Sequence, residues 1–500
     1  MGNDAWAIEG RQPRIAIIGA GMSGIAAVVK LRKAGFEDIT VFEKTDRVGG
    51  TWRENRYPGL SCDVPSYWYS FSFARNPDWS HRYAYGPEIQ AYMERVANDF
   101  DVISIVKFNT AVTDITYDDP IWHVTTSQGD EEVFDIVISA TGVLHHTTIP
   151  NFKDREKFAG ESFHTAKWQD DVDLSGKRVG IIGTGSTSAQ IIGAMTEHVE
   201  KMVVFQRTPQ WIAPRPQKKY SPLRRFFMRY VPGMTILAYW IEYLKFKYTF
   251  GPATTGNKYW EGKISELCQQ HLDDNVQDPV LKAKLTPNYQ AACKRLIFAS
   301  EFYPAISRPN CDLVTDEIDR MSPVGIITKD GEEHALDVLI YATGFDAAAF
   351  ILPTKVTGEN GRDLKDFWEG SPRAHRAVSV PGFPNFWMIE GPTGPVGNLS
   401  LIMVSEHQID YIISMLKMMK QKGIASLAPK QDAFASYNAE LGERVKQTVW
   451  YTGGCDSWYF DKTGKPNLYS FPPQKYLQDM HAPNLDEYET RPALNHVAAE

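Results

Sequence analysis

Two short runs, apolar at every position, stand out from the mixed pattern of this 500-residue chain. Ile15-Ala-Ile-Ile-Gly19 and Val179-Gly-Ile-Ile-Gly183 both end in glycine, and small residues and a helical period follow each. A continuous apolar run predicts a strand buried on both faces of a parallel sheet, here turning at the glycine into a helix. A second pair echoes the first: Asp135-Ile-Val-Ile-Ser-Ala-Thr-Gly142 and Asp337-Val-Leu-Ile-Tyr-Ala-Thr-Gly344. The order along the chain is turn, A-T-G strand, turn, A-T-G strand, which predicts two α/β domains with the second inserted into the first. Between Asn109 and Phe134, alternating apolar and polar positions broken by Gln128-Gly129-Asp130 predict an antiparallel meander. From Pro214 to about Pro304 the period is helical, and we expect a helical insertion that covers a site. Beyond Asn398 a helix over Leu401 to Lys420 leads into an aromatic, turn-rich end.

The turns carry chemistry. Gly19-Ala-Gly21-Met-Ser23-Gly24 follows a strand and opens a helix. The first glycine permits the tight turn, the second lets backbone approach a pyrophosphate, and the third allows close helix–strand packing. Glu43 ends the next strand, where a carboxylate accepts hydrogen bonds from a ribose. In the second turn, Gly183-Thr-Gly185-Ser186-Thr187-Ser188, a serine replaces the third glycine. Arg207 lies as far beyond Gly183 as Glu43 lies beyond Gly19. A guanidinium there suits a 2'-phosphate through bidentate, charge-assisted hydrogen bonds; an ordinary surface arginine is the alternative. The fold class is therefore α/β, with two Rossmann-like dinucleotide-binding domains of three-layer ββα type. We expect FAD on the first and NADPH on the second. The expected boundaries are 13–150 for the first part of the FAD domain, 151–213 with 293–341 for the NADPH domain, 214–292 for the helical insertion, and 342–490 for the rest of the FAD domain and the C-terminal segment.

Composition narrows the partners. A net charge of −8 argues against nucleic acid. Five cysteines, with no C-x-x-C, predict neither a disulfide framework nor a zinc site, but a reduced, cytoplasmic protein. No histidine spacing suits a metal. No run of 18 apolar residues exists, so no integral membrane segment is expected. Met234 to Leu244, with Lys218, Lys219, Arg224, Arg225 and Arg229 before it, is a basic, amphipathic stretch. The favoured reading packs it on its own protein; the alternative is peripheral membrane contact. Monomer and homodimer both remain open.

Phe158-x-Gly160-x-x-x-His164-x-x-x-Trp168, just before the second turn, resembles the fingerprint of class B flavoprotein monooxygenases, in the form with Trp that marks Baeyer–Villiger monooxygenases. That type commonly has Pro or Asp after the Trp; Gln169 stands here, with Asp170 next. Gly49-Gly50-Thr-Trp52-Arg-Glu-Asn-Arg-Tyr57-Pro58-Gly59-Leu-Ser-Cys-Asp63 is similar to a second fingerprint of the type. Gln206-Arg207-Thr208-Pro209, Cys293-Lys294-Arg295 and Ala342-Thr343-Gly344-Phe345 extend the resemblance over about Arg14 to Tyr476.

The resemblance implies an enzyme that uses FAD, NADPH and O2 to convert a ketone into an ester or lactone through a C4a-peroxyflavin. It implies that Arg295 sits over the flavin with Asp63 beside it. A permanently charged guanidinium can steady an anionic oxygen adduct and a developing oxyanion without donating its proton. Asp63 taken alone is a turn carboxylate, and Lys294 with Arg295 a solvated helix end. By the same resemblance Lys294 and Thr208 join Arg207 on the 2'-phosphate, and Gly50 and Trp52 lie by the flavin, although Trp52 also suits an aromatic core. Phe158, Gly160, His164 and Trp168 form a linker that transmits domain movement. N- or S-oxygenation is the alternative reaction. A flavin or disulfide reductase and a dinucleotide sensor are readings from other classes.

Overall fold

The computed structural model describes residues 11–457 and 459–493. Strands Ile15–Ile18, Ile39–Phe42, Val106–Lys107, Ile136–Ser139 and Phe386–Met388 form one five-stranded sheet, with Ile15–Ile18 at its centre and every pairing parallel. A second five-stranded parallel sheet centres on Arg178–Ile182 and adds Lys201–Phe205, Cys311–Val314, Val338–Tyr341 and Glu161–His164. The apolar runs are buried at every position, as a strand covered on both faces requires.

The two pairs of sequence echoes are one contact made twice. The A-T-G strands lie beside the glycine-turn strands, and the Ala140 and Ala342 amides donate to the carbonyls of Ile18 and Ile182. Their own carbonyls press on the turn glycines. A Cβ on Gly19 would lie 2.7 Å from the Ala140 oxygen, and one on Gly183 2.5 Å from that of Ala342. Both glycines also have left-handed φ, +106° and +110°.

The expected meander is present as Val112–Asp118, Ile121–Thr126 and Glu131–Phe134. A second one, Ile318–Ser322, Gly325–Thr328 and Glu333–Ala335, occupies the equivalent place in the other half and was not anticipated, because its strands are short and weakly alternating. The helix near the C-terminus runs from Leu401 to Lys422 and packs on Met22–Lys33.

The stretch after Pro214 holds five helices: Pro222–Tyr230, Met234–Tyr248, Phe250–Thr254, Lys258–Asn275 and Pro279–Leu285. Its neck is closed by a parallel pairing of Ile212–Ala213 with Ile297–Phe298. The Met234–Tyr248 helix meets only half of the packing expectation. Ala238, Tyr239 and Tyr243 are buried, but Ile236, Leu237, Trp240, Ile241 and Leu244 face outward. An apolar period on both sides of one helix leaves one side uncovered.

The expectation of an all-thiol chain is corrected. Cys293 and Cys455 form a disulfide across 162 residues. The turn-rich end of the chain folds back over the segment before Arg295, a pairing that no local cysteine spacing encodes. Cys62, Cys268 and Cys311 remain free. Alkylation of the unfolded, unreduced protein followed by intact-mass measurement should therefore label three cysteines, and five after reduction; five without reductant would refute the bridge.

Candidate active site

Each glycine-rich turn delivers a helix N-terminus. Gly21 caps Met22–Lys33 and Gly185 caps Ser186–Met195, both with extended backbone and no side-chain cap, so the first-turn amides stay available to an anion. A Cβ on Gly24 would overlap the Gly19 carbonyl oxygen at 2.0 Å, which is why this position must be glycine. Ser188 holds the matching place in the second turn, fully buried with its hydroxyl unpartnered. Nothing lies within 4 Å of a Cβ built on Gly185.

Glu43 is buried, and its carboxylate accepts from the Ala20 amide at 2.8 Å and from the Thr45 amide and hydroxyl at 2.9 and 2.8 Å. These donors aim an acidic side chain across the first turn. Gly50, at φ +55° and ψ −122°, crosses that turn: a Cβ on it would stand 3.0 Å from the Gly21 α-carbon. Ser23 is tied into the protein. Its hydroxyl lies 3.0 Å from that of Ser405, which donates to buried Glu390 at 2.9 Å. Burial pushes the Glu390 carboxyl up to about 7. The loop before Leu401–Lys422 carries Asn398, buried with both amide atoms unpartnered among the described residues, beside the likewise unpartnered hydroxyl of Ser400. Buried polar atoms of this kind demand a partner, and a polar, planar ring system supplies one.

Arg207 and Thr208 follow Lys201–Phe205. Arg207 is exposed, and it is absent from the ion pairs among the described residues. It lies close enough to Lys294 to help lower the lysine's pKa, an effect due first to burial and opposed by Asp456. The Lys294 ammonium sits 4.8 Å over the Tyr289 ring. Two converging cations suit a doubly charged phosphate. Ser186 opens its helix, and Thr187 reaches the Tyr57 hydroxyl, whose pKa burial raises to about 12.

Arg295 donates to Asp63 at 2.6 Å, joining residues 232 apart in sequence. The Asp63 carboxylate raises the Arg295 pKa against the opposing effect of burial, with the Tyr459 hydroxyl helping. Both line a pocket shared with Lys294, Gly397, Phe246 and Tyr459. A second cation steadies the same loop: buried Arg215 hydrogen-bonds the Ser61 hydroxyl and pairs with Glu301 at 3.2 Å. Arg215 and Tyr459 escaped the sequence reading, since neither stands in a motif quoted above. Trp52 donates to the Tyr69 hydroxyl at 3.0 Å and packs against the cores of both halves.

The linker residues do not reach the pocket. Phe158 packs beside the second meander, and a Cβ on Gly160 would strike the Asp337 carbonyl at 2.4 Å. His164 is buried, accepts from the Ala166 amide at Nδ1, and therefore donates from Nε2 to the Gly344 carbonyl at 3.1 Å. Burial holds its pKa below the usual imidazole value, so it is neutral and structural here. Trp168 stacks edge-on with Phe163, and its carbonyl accepts from Arg56 of the Gly49–Asp63 fingerprint. Gly59 and Ser61 rest on Gln190 of the other half.

Two glycine-rich turns that open helix N-termini, in one chain with a caged cation, define a class of protein, a flavoprotein oxidoreductase built to pass electrons between two nucleotides. The profile of the flavin-binding monooxygenase-like family matches residues 12–242. An uncharacterized monooxygenase of Mycobacterium tuberculosis is 42% identical over 97% of both chains. A Baeyer–Villiger monooxygenase of Streptomyces coelicolor is 36% identical over 97% of this chain and 94% of its own. The crystal structure of OTEMO in complex with FAD and NADP superposes with a TM-score of 0.87 at 28% identity, covering 96% of this chain and 99% of that one. The chain belongs to the flavin-binding monooxygenases and, within them, to the Baeyer–Villiger type, FAD- and NADPH-dependent enzymes that oxygenate ketones.

The close crossing of Gly50 over Gly21 bears on the expectation that Gly50 lies by the flavin. Gly50→Ala must place a side chain in a backbone region that costs on the order of 1–3 kcal/mol. Its flavin content after desalting, read from visible absorbance per protein, should fall well below that of the parent chain.

Proposed function

We propose that this chain inserts one atom of O2 into a ketone to give an ester or lactone, with Arg295 as the cation over the reacting centre and Asp63 holding it there. The observation that carries the reading is the Arg295–Asp63 pair, 2.6 Å long, in a pocket lined also by Lys294 and Tyr459. In this reading residues 13–150 and 342–490 bind FAD, through Gly19, Gly21, Ser23, Gly24, Glu43, Gly50, Trp52 and Asp63. Residues 151–213 and 293–341 bind NADPH, through Gly183, Gly185, Ser186, Thr187, Arg207, Thr208 and Lys294. Residues 214–292 roof the pocket. Phe158, Gly160, His164 and Trp168 link the two halves.

Bound FAD, once reduced by NADPH, supplies the electrons that activate O2. What the chain adds is electrostatic. Arg295 keeps its proton at any pH the enzyme meets, because Asp63 favours the charged form, so it stabilises negative charge on oxygen without discharging it. A third of its side chain faces open space rather than protein. Phe246, Leu296 and Phe298 supply apolar walls that exclude water and favour a carbonyl compound over a charged one.

Arg295→Ala should retain its yellow flavin yet lose ester formation by about 10²–10³-fold, the effect of removing one preorganised donor at a developing oxyanion. The measurement is product mass from a panel of linear, cyclic and aromatic ketones under 18O2; an unchanged yield of labelled ester would remove Arg295 from its role. Arg207→Ala should raise the KM for NADPH about 10–100-fold, as expected for a lost charge-assisted contact, while leaving the KM for NADH nearly unchanged. An equal rise for both nucleotides would deny Arg207 the 2'-phosphate.

A further inference from the structure

Exposed apolar side chains gather at one place. Of the 17 large hydrophobic residues exposed among the described residues, 11 fall between Leu223 and Tyr248, so the surface elsewhere is ordinary. They form stripes at helical spacing. Leu223, Phe226, Phe227 and Tyr230 share one face of the Pro222–Tyr230 helix, and Leu237 and Trp240 begin a stripe on Met234–Tyr248. Such a period normally turns inward. Here the inward side is already filled. Tyr243 and Phe246 pack against Trp68, and Arg224 stacks over Tyr220.

The charge around the patch is as uneven. From Lys218 to Tyr248 there are seven basic residues and one acidic, in a chain whose net charge is −8. The acidic residue, Glu242, is bridged by Arg82 and Lys245. Arg229 pairs with Asp78, while Lys218 and Lys219 are exposed and Lys247 lies over the rings of Tyr243 and Tyr248. Aromatic residues and lysines bordering an aliphatic stripe are the side chains that sit at a membrane interface.

We propose that the helical hairpin Pro222–Tyr248 docks this enzyme onto the surface of an anionic lipid bilayer, with the apolar stripes entering the acyl boundary and the basic residues meeting the headgroups. The hairpin lies on the membrane and does not cross it. Its longer helix has 15 residues, about 22 Å at 1.5 Å per residue, short of the roughly 30 Å hydrocarbon core. No helix among the described residues is long and apolar enough to span. Charge excludes a second copy as the occupant. A two-fold interface would set the same basic patch against itself, and like charges at close range repel. A bilayer rich in phosphate headgroups complements both the apolar and the basic part. The helix that carries the outer stripe also turns Phe246 inward to the pocket of Arg295, so docking brings the pocket roof to the lipid. If the ketone reading above holds, an apolar ketone can reach the site from the bilayer; the docking does not depend on that reading.

The test is flotation of the yellow holoenzyme with vesicles of phosphatidylglycerol and phosphatidylcholine in equal parts, beside vesicles of phosphatidylcholine alone. The protein should float with the anionic vesicles at low salt, float far less at molar salt, and stay largely behind with the zwitterionic ones. Phe226→Ser combined with Trp240→Ser should reduce flotation at least 10-fold, on the order expected for two lost apolar anchors, while flavin content and NADPH oxidation rate stay as in the parent. Parent holoenzyme that fails to float with anionic vesicles overturns the proposal. So does a parent that sediments as a dimer and becomes a monomer in the double variant with vesicle binding unchanged. Because flotation needs no substrate, its failure is separate from any failure to make an ester.

Discussion

A guanidinium drawn out of bulk water must keep a counter-ion, and in this protein that requirement joins residues 232 apart in the chain. Asp63 belongs to the loop that leaves the first nucleotide turn, whereas Arg295 lies at the neck where the helical insertion returns to the second half. The two meet only when both halves are folded and docked. Removing either partner would leave an uncompensated charge in a half-buried setting. The surrounding contacts share this dependence: Arg215 holds Ser61 two residues away, Gln190 supports the same loop from the other half, and Tyr459 reaches Arg295 from the C-terminal end. The proposed reacting centre is thus a product of domain docking and belongs to neither half alone.

The two nucleotide turns solve one packing problem in one way and then diverge where chemistry differs. In each, an A-T-G strand presses its alanine carbonyl on the turn glycine, and the backbone has no room for a side chain. Divergence comes at the strand that follows. Glu43 is held by backbone amides over the first turn; Arg207, which makes no ion pair among the described residues, stands near Lys294. The proposed nucleotide assignment rests on this difference, since an acidic group suits hydroxyls and a cation suits phosphate.

The C-terminal segment acts as a strap. The disulfide from Cys455 to Cys293 ends two residues before Arg295, and the Gln290 amide donates to the Gly453 carbonyl at 2.9 Å. Closing a loop this long constrains the unfolded chain more than the folded one. Trp450 and Tyr459 of the strap and Phe246, Phe250 and Thr254 of the helical insertion line the pocket together with Asp63 and the neck around Arg295.

Local pattern was enough wherever a short stretch carries its own physics. Continuous apolar runs ending in glycine announced buried parallel strands, and the glycine spacing announced helix N-termini without side-chain caps. The fingerprint residues placed Asp63 and Arg295 in one site because their order matches a known type. Three features lay beyond such reading. The second meander has strands too short to show alternation, the Cys293–Cys455 bridge joins residues 162 apart, and Arg215 and Tyr459 enter the site from segments without a motif. The outward face of Met234–Tyr248 is the sharpest case: its composition showed an apolar helix with basic neighbours, but which side finds a partner is decided by where Trp68 and the pocket stand. Periodicity is a property of neighbours along the chain; burial and pairing across hundreds of residues are properties of the packed whole.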